Sequence, residues 1–166
     1  EAWQLPAAIG FGGVVTIMIL QMVSKSDHDR DRIVSAMFLI IVSIIFWALF
    51  EQAGSSLNLF TDRSVDREML GIVFPASTFQ SINAIYIILL APVFAITWTF
   101  LGRKGMDPST PMKFGLGVVQ VGLGFLVLVW GAQSVGVDVP TPVIFIFLIY
   151  LLHTTGELCL SPVGLS

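Results

Sequence analysis

Apolar side chains run in long, nearly uninterrupted stretches along this chain, and polar side chains are confined to short segments between them. A helix needs about 20 mostly apolar residues, each rising about 1.5 Å, to cross about 30 Å of hydrocarbon. Five stretches meet that length: residues 5–23, 33–60, 77–101, 114–135, and 142 to the end of the chain. They lack the period of two that is typical of barrel strands. The pattern predicts an all-α integral membrane protein with five transmembrane helices.

The composition supports a location in the lipid bilayer. Hydrophobic residues make up 55% of the chain and charged residues 11%, and the mean hydropathy is +0.90. Soluble domains carry about 25% charged residues, so this chain cannot cover a soluble surface. The net charge of -3 and the lack of a large basic cluster exclude a nucleic-acid partner.

The sequence also argues against an enzyme. Zinc-protease, hydrolase-elbow and ATP-binding motifs do not occur in it, and one histidine with one glutamate gives too few ligands for zinc. We therefore expect no metal and no cofactor. The lone Cys159 cannot form a disulfide within the chain.

The distribution of Lys and Arg predicts the orientation in the membrane. Segments 25–32 and 102–113 together hold six of these residues, whereas segment 61–74 holds two and segment 133–140 holds none. Because positively charged loops stay in the cytoplasm, the first two segments should be cytoplasmic and segment 61–74 external.

Two acidic residues, Glu51 and Glu157, remain inside the predicted spans. A charge at the bilayer centre costs on the order of 3 kcal/mol, so such residues usually face a bundle interior or a water-filled cavity. They are therefore candidate site residues. The alternative is that each lies near an interface, or is protonated and hydrogen-bonded to a neighbouring helix.

Polar neighbours accompany both carboxylates. On a helix, His153, Glu157 and Ser161 are spaced four apart and share one face, just before a proline. A lone histidine such as His153 is, however, often a packing residue. The same spacing places Trp47 and Ser55 on the face of Glu51.

The third span contributes Gln80 and Asn83, and Pro92 is expected to interrupt its helix. Both amides are candidates for a polar cavity. Their alternative role is to join neighbouring helices by hydrogen bonds.

Four strings, in order, resemble the proton-dependent oligopeptide transporter family, a branch of the major facilitator superfamily. They are FWALFEQAGSSLNLF, FQSINAIYIILLAPVFA, LGRKGMDPSTPMKFGLG and GELCLSPVGLS. The resemblance implies that residues 33–166 form helices seven to ten of a twelve-helix transporter, an incomplete part of its C-terminal six-helix bundle. Residues 1–24 resemble an extra helix between the two bundles, and residues 25–32 the cytoplasmic loop after it.

The resemblance also implies roles for five residues. Glu157 resembles the carboxylate that pairs with the peptide's amino group, and Ser161 a neighbouring site hydroxyl. Asn83 resembles an amide that hydrogen-bonds the peptide terminus, and Trp47 an aromatic wall of the cavity. Glu51 resembles the acidic residue that gates the external side and takes part in proton coupling.

The implied function is symport of di- and tripeptides with protons by alternating access, in the plasma membrane of a bacterium. A peptide is a zwitterion, and these spans supply only anions, so its carboxylate needs cations from elsewhere. The family's E-x-x-E-R motif and the basic residues of the N-terminal bundle do not occur in this sequence. We therefore expect the chain to be part of a longer protein, with the missing N-terminal helix bundle as its partner.

Three other functions stay open at this point. A family relative could carry another solute such as nitrate or a drug-like molecule, although Glu157 would repel a simple anion. A structural membrane subunit without transport activity is the second. An intramembrane enzyme or a channel would need a catalytic dyad or a ring of polar residues, which the sequence does not display.

Overall fold

The computed structural model of the chain describes residues 27–136 and 139–160, with side chains from residue 31 onward. The predicted helix at residues 5–23 and Ser161 lie outside the described residues. The chain divides into two compact units, Glu1–Ile44 and Ile45–Ser166. The site described below lies entirely within the second unit.

The described residues are mainly helical. Between residues 27 and 160, as far as they are described, five α-helices, four two-residue strands and two 3-10 helices follow one another. In order they are α1 (Asp27–Phe50), a 3-10 helix (Glu51–Gly54), α2 (Ser56–Ser64), β1 (Val65–Asp66), β2 (Glu68–Met69), β3 (Ile72–Val73), a second 3-10 helix (Ala76–Gln80), α3 (Ser81–Arg103), α4 (Thr110–Ser134), β4 (Thr141–Pro142) and α5 (Ile144–Leu160).

Within the described residues, three helical segments are long and apolar enough to cross a membrane. They are Asp31–Ser64, Ala76–Arg103 and Thr110–Ser134, and α5 is a shorter apolar helix. These four segments coincide with four of the five predicted spans. The predicted class, a helical membrane protein, is therefore confirmed.

The sequence predicts one continuous helix for the second span, residues 33–60. The structure instead shows a break in it. Helix α1 ends at Phe50, a 3-10 helix follows, and Ser55 leaves helical geometry at φ -121° and ψ -98°. Polar side chains compete for hydrogen bonds at this break, because the hydroxyls of Ser55 and Ser56 donate to Gln52 Oε1. The prediction that Trp47, Glu51 and Ser55 share one helical face is therefore wrong.

Helix α4 begins earlier than the predicted residue 114. Thr110 opens it and Pro111 occupies its first turn, where the missing N–H of proline has no helical partner to lose. Lys113, which we expected in the loop, is thus helical and buried. Its Nζ lies 2.9 Å from Asp107 Oδ2 and 4.8 Å from the centre of the Trp98 ring.

Helix α3 contains Pro92 but continues through it to Arg103, so the expected interruption at this proline is not found. The segment between α2 and α3 contains a short antiparallel hairpin, in which Glu68 pairs with Val73 and Met69 with Ile72. Leu70 and Gly71 make its turn with φ of 55° and 78°.

Helix α5 packs on both α4 and α3 and is the central element of the second unit. Its residues Ile146 and Ile149 are fully buried, as is Val121 of α4. Strand β1 pairs in parallel with β4, with Val65 opposite Thr141, so the end of α2 lies beside the start of α5. This arrangement brings one face of α5 against α3, where the candidate site lies.

Candidate functional site

One face of α5 carries a cluster of buried polar groups. Tyr150, His153 and Thr154 are almost completely buried, and Glu157 is half-buried one turn further along. These positions follow a spacing of three and four residues, so their side chains leave the helix on adjoining sides of one face. The cluster lies where α3 packs against α5.

Asn83 of α3 connects two members of this cluster. Its Nδ2 donates a hydrogen bond to Glu157 Oε2 at 3.5 Å, and its Oδ1 accepts one from the Thr154 hydroxyl at 2.5 Å. The three side chains therefore form one chain of hydrogen bonds between helices. The structure thus brings together two predicted site residues, Asn83 and Glu157, that are 74 positions apart in sequence.

Glu157 has no cationic partner in the part of the chain that the structure describes. The salt bridges found there join Arg67 to Asp62 and Lys113 to Asp107. A half-buried carboxylate that receives one long hydrogen bond retains capacity for further donors. A ligand cation is the type of group that would satisfy it.

A cavity of about 210 Å³ lies beside this network. Its wall combines aromatic, small and polar residues: Phe50, Glu51, Ala53, Gly54, Gln80, Asn83, Tyr150 and His153. Glu51 and Asn83, both predicted site residues, therefore line the same space. The break after α1 positions Glu51 here, because it is the first residue of the 3-10 helix.

Trp47 is not among the residues that line this cavity. Its side chain is 44% exposed, and its ring contacts those of Phe46 and Phe50 at centroid distances of 5.5 and 5.4 Å. Phe50 in turn lines the cavity. In the described residues Trp47 is thus separated from the cavity by one aromatic ring, and its predicted role as a cavity wall remains a prediction.

His153 is held mainly by aromatic packing. Its ring lies 5.9 Å from that of Phe50 and 5.1 Å from that of Phe125, measured between centroids. Gly124 of α4 leaves room for it, since a Cβ there would lie 2.9 Å from His153 Cδ2. These contacts favour the packing interpretation of His153, although it also borders the cavity.

Sequence reasoning missed Thr154 and Tyr150. Both lie on the face of Glu157, at three and seven positions before it, so the helical spacing contained the signal. Threonine and tyrosine are common in membrane spans, however. The importance of Thr154 becomes visible only when Asn83 is seen beside it.

The spans, with a half-buried carboxylate hydrogen-bonded between two helices, define a multi-pass helical membrane protein with a polar cluster between its helices. Comparison with known proteins gives the family: residues 7–166 match the profile of the POT family. The chain belongs to this family, which confirms the resemblance noted in the sequence. The relatives that it matches are named transporters, so the expectation that the chain is not an enzyme is also confirmed.

Two curated relatives and one solved structure illustrate the similarity. The chain is 41% identical to the peptide transporter YePEPT of Yersinia enterocolitica, over 90% of this chain and 30% of that protein. It is 37% identical to dipeptide and tripeptide permease B of Shigella dysenteriae, over 92% of this chain and 32% of the permease. A crystal structure of a variant peptide transporter in complex with alafosfalin matches with a TM-score of 0.81 and 32% identity, covering 99% of this chain and 34% of the other. The chain thus spans about a third of the length of these proteins.

Proposed function

We propose that this chain forms part of a symporter that moves di- and tripeptides together with protons across a bacterial inner membrane. Membership of the POT family and the names of the similar proteins support peptide transport. The single observation that carries the assignment of the site is the pairing of Asn83 with the half-buried Glu157. Alternating access about such a site requires a second bundle, which the rest of the whole transporter would provide.

In this proposal Glu157 binds the peptide's free amino group. Asn83 donates to one carboxylate oxygen and leaves capacity for the substrate ammonium, which supplies the missing cation. The partly dehydrated surroundings strengthen this ion pair relative to one in water. The peptide's carboxylate would bind basic residues outside this chain.

Glu51 takes the coupling role in the same proposal. It is exposed and lines the cavity that Asn83 also borders, so its surroundings change when the external side closes. In an open, wet state the charged form is favoured, and in a closed, apolar state the neutral form is favoured. Alternatively, closure brings a basic residue from elsewhere in the transporter against Glu51, and protonation breaks that pair.

The test of the binding site is Glu157→Gln in the whole transporter, purified and studied by calorimetry. This substitution keeps the shape and removes the charge, so binding of an ordinary dipeptide should weaken about tenfold or more. An N-acetylated dipeptide, which has no ammonium group, should lose little affinity. Glu68→Gln is the matched control, because Glu68 is an exposed carboxylate in the hairpin between α2 and α3.

Equal losses for the free and the acetylated dipeptide would remove Glu157 from the amino-binding role. If Glu68→Gln weakened dipeptide binding as much as Glu157→Gln, the effect would reflect charge in general and the assignment would be wrong.

A further inference from the structure

Thr154 lies at the centre of the polar cluster and offers one proton to two acceptors. Its hydroxyl oxygen is 2.5 Å from Asn83 Oδ1 and 2.7 Å from the carbonyl oxygen of Tyr150. The residue is fully buried, so water does not complete its hydrogen bonds from the surface. The acceptor that receives the proton therefore decides whether the amide oxygen or the amide nitrogen of Asn83 faces Thr154.

Two arrangements satisfy these distances. In the first, Thr154 donates to Asn83 Oδ1, and the amide nitrogen of Asn83 then faces Glu157. In the second, Thr154 donates to the Tyr150 carbonyl and accepts from Asn83, so the amide is turned over. Its oxygen then faces the carboxylate, which is repulsive while Glu157 is ionised because neither oxygen carries a proton.

We propose that Thr154 is a positioning residue: by donating to Asn83 Oδ1, it stabilises the amide orientation in which Asn83 donates to Glu157. By holding the amide nitrogen against one carboxylate oxygen, Thr154 keeps Glu157 in the orientation and hydrogen-bonding state that accepts an ammonium group. The effect on peptide binding rests on the proposed function. The orientation of Asn83 and its hydrogen bond to Glu157 do not.

The first test compares Thr154→Val, which removes the hydroxyl, with Thr154→Ser, which keeps it. In the whole transporter, Thr154→Val should weaken binding of a free dipeptide about fivefold, as expected for one hydrogen bond, and Thr154→Ser should bind like the unmodified protein. Binding of an N-acetylated dipeptide should change little. If valine prevents folding, Thr154→Ala provides the same comparison.

A double-variant cycle separates positioning from general packing. Glutamine at position 157 both donates and accepts, so it pairs with either orientation of the Asn83 amide. Thr154→Val should therefore have little further effect on dipeptide binding in the Glu157→Gln background. The same loss in both backgrounds would mean that Thr154 only packs, and would overturn the proposal.

An infrared measurement on the transporter without peptide tests the role of Thr154 independently of peptide binding. The carboxylate band of Glu157 is identified as the band lost in Glu157→Gln. This band should shift in Thr154→Val and be unchanged in Thr154→Ser, because only the first variant frees the Asn83 amide. An unchanged band in Thr154→Val would overturn the positioning role, whereas a shifted band without any dipeptide binding would contradict the proposed function alone.

Discussion

The two acidic residues of the spans differ in their surroundings, and this difference separates their proposed roles. Glu157 is half-buried on α5 and receives a hydrogen bond from Asn83, so its position is fixed. Glu51 is exposed and is the first residue of the 3-10 helix between α1 and α2. A fixed carboxylate suits ligand binding, and one at a helix break suits a role in gating.

Glu51→Gln should separate coupling from binding. In liposomes containing the whole transporter, dipeptide uptake driven by a pH gradient should fall sharply, because glutamine cannot take up and release the coupled proton. Exchange of peptide for peptide needs no net proton movement and should survive in part. Both rates are measured with a labelled dipeptide, and Glu68→Gln is the control.

Gradient-driven uptake that is unchanged in Glu51→Gln would exclude Glu51 from coupling. A parallel loss of exchange and of gradient-driven uptake would assign it instead to binding or folding.

Among the residues of the candidate site, the sequence identifies the charged and amide side chains more readily than the hydroxyl side chains. Glu157 and Asn83 stand out because lipid excludes such groups unless they face a polar interior. Thr154 does not stand out, since a helical threonine commonly has a backbone carbonyl of the preceding turn within reach, here that of Tyr150 at 2.7 Å, and needs no partner from another helix. Its partner Asn83 is 71 positions away, and only the packing of α3 on α5 reveals the pair.

At the scale of helices, glycines determine how closely α4 and α5 approach. Gly117, Gly124 and Gly131 recur every seven residues and lie buried against α5. A Cβ at Gly117 would lie 2.9 Å from the Gly156 carbonyl oxygen, and the reverse contact has the same distance. The backbones of α4 and α5 are in direct contact there, so an added side chain can be accommodated only if the two helices move apart.

Gly117→Ala should therefore destabilise the transporter by about 1–3 kcal/mol, as overpacking does in a tight interface. Gly122→Ala is the matched control on the same helix, because no atom lies within 4 Å of a Cβ built there. The Gly122→Ala variant should be as stable as the unmodified protein or more stable, since alanine has a higher helix propensity than glycine. The measurement is the thermal unfolding temperature of the purified protein, and equal temperatures for the two variants would contradict this account of the interface.

Hydrophobic pattern predicts the presence of these helices and misplaces some of their ends. The break at residues 51–55 falls inside an apolar stretch and depends on hydrogen bonds from Ser55 and Ser56 to Gln52. The charge of Lys113 predicts a loop position for it. In the structure, Asp107 and the Trp98 ring stabilise that charge on α4.

In the molecule as a whole, the candidate site has acidic side chains for a peptide's amino group and lacks, in the part of the chain that the structure describes, a basic side chain for its carboxylate. In the described residues, Glu51 lines the cavity and Glu157 is hydrogen-bonded to Asn83 of its wall, but no Lys or Arg lines it. The chain spans about a third of the length of its relatives, and under the proposed function that cation would come from residues outside this chain. The sequence predicts this asymmetry, because the predicted spans hold acidic side chains and all eight Lys and Arg residues lie between them.

Dipeptide uptake by the whole transporter in liposomes under an imposed pH gradient tests proton-coupled peptide symport. A labelled dipeptide should accumulate above its external concentration when the gradient drives protons inward, and a protonophore should abolish that accumulation. Unlabelled di- and tripeptides should compete, and nitrate should not. Accumulation that persists after the gradient collapses, or transport of nitrate without transport of dipeptide, would contradict proton-coupled peptide symport.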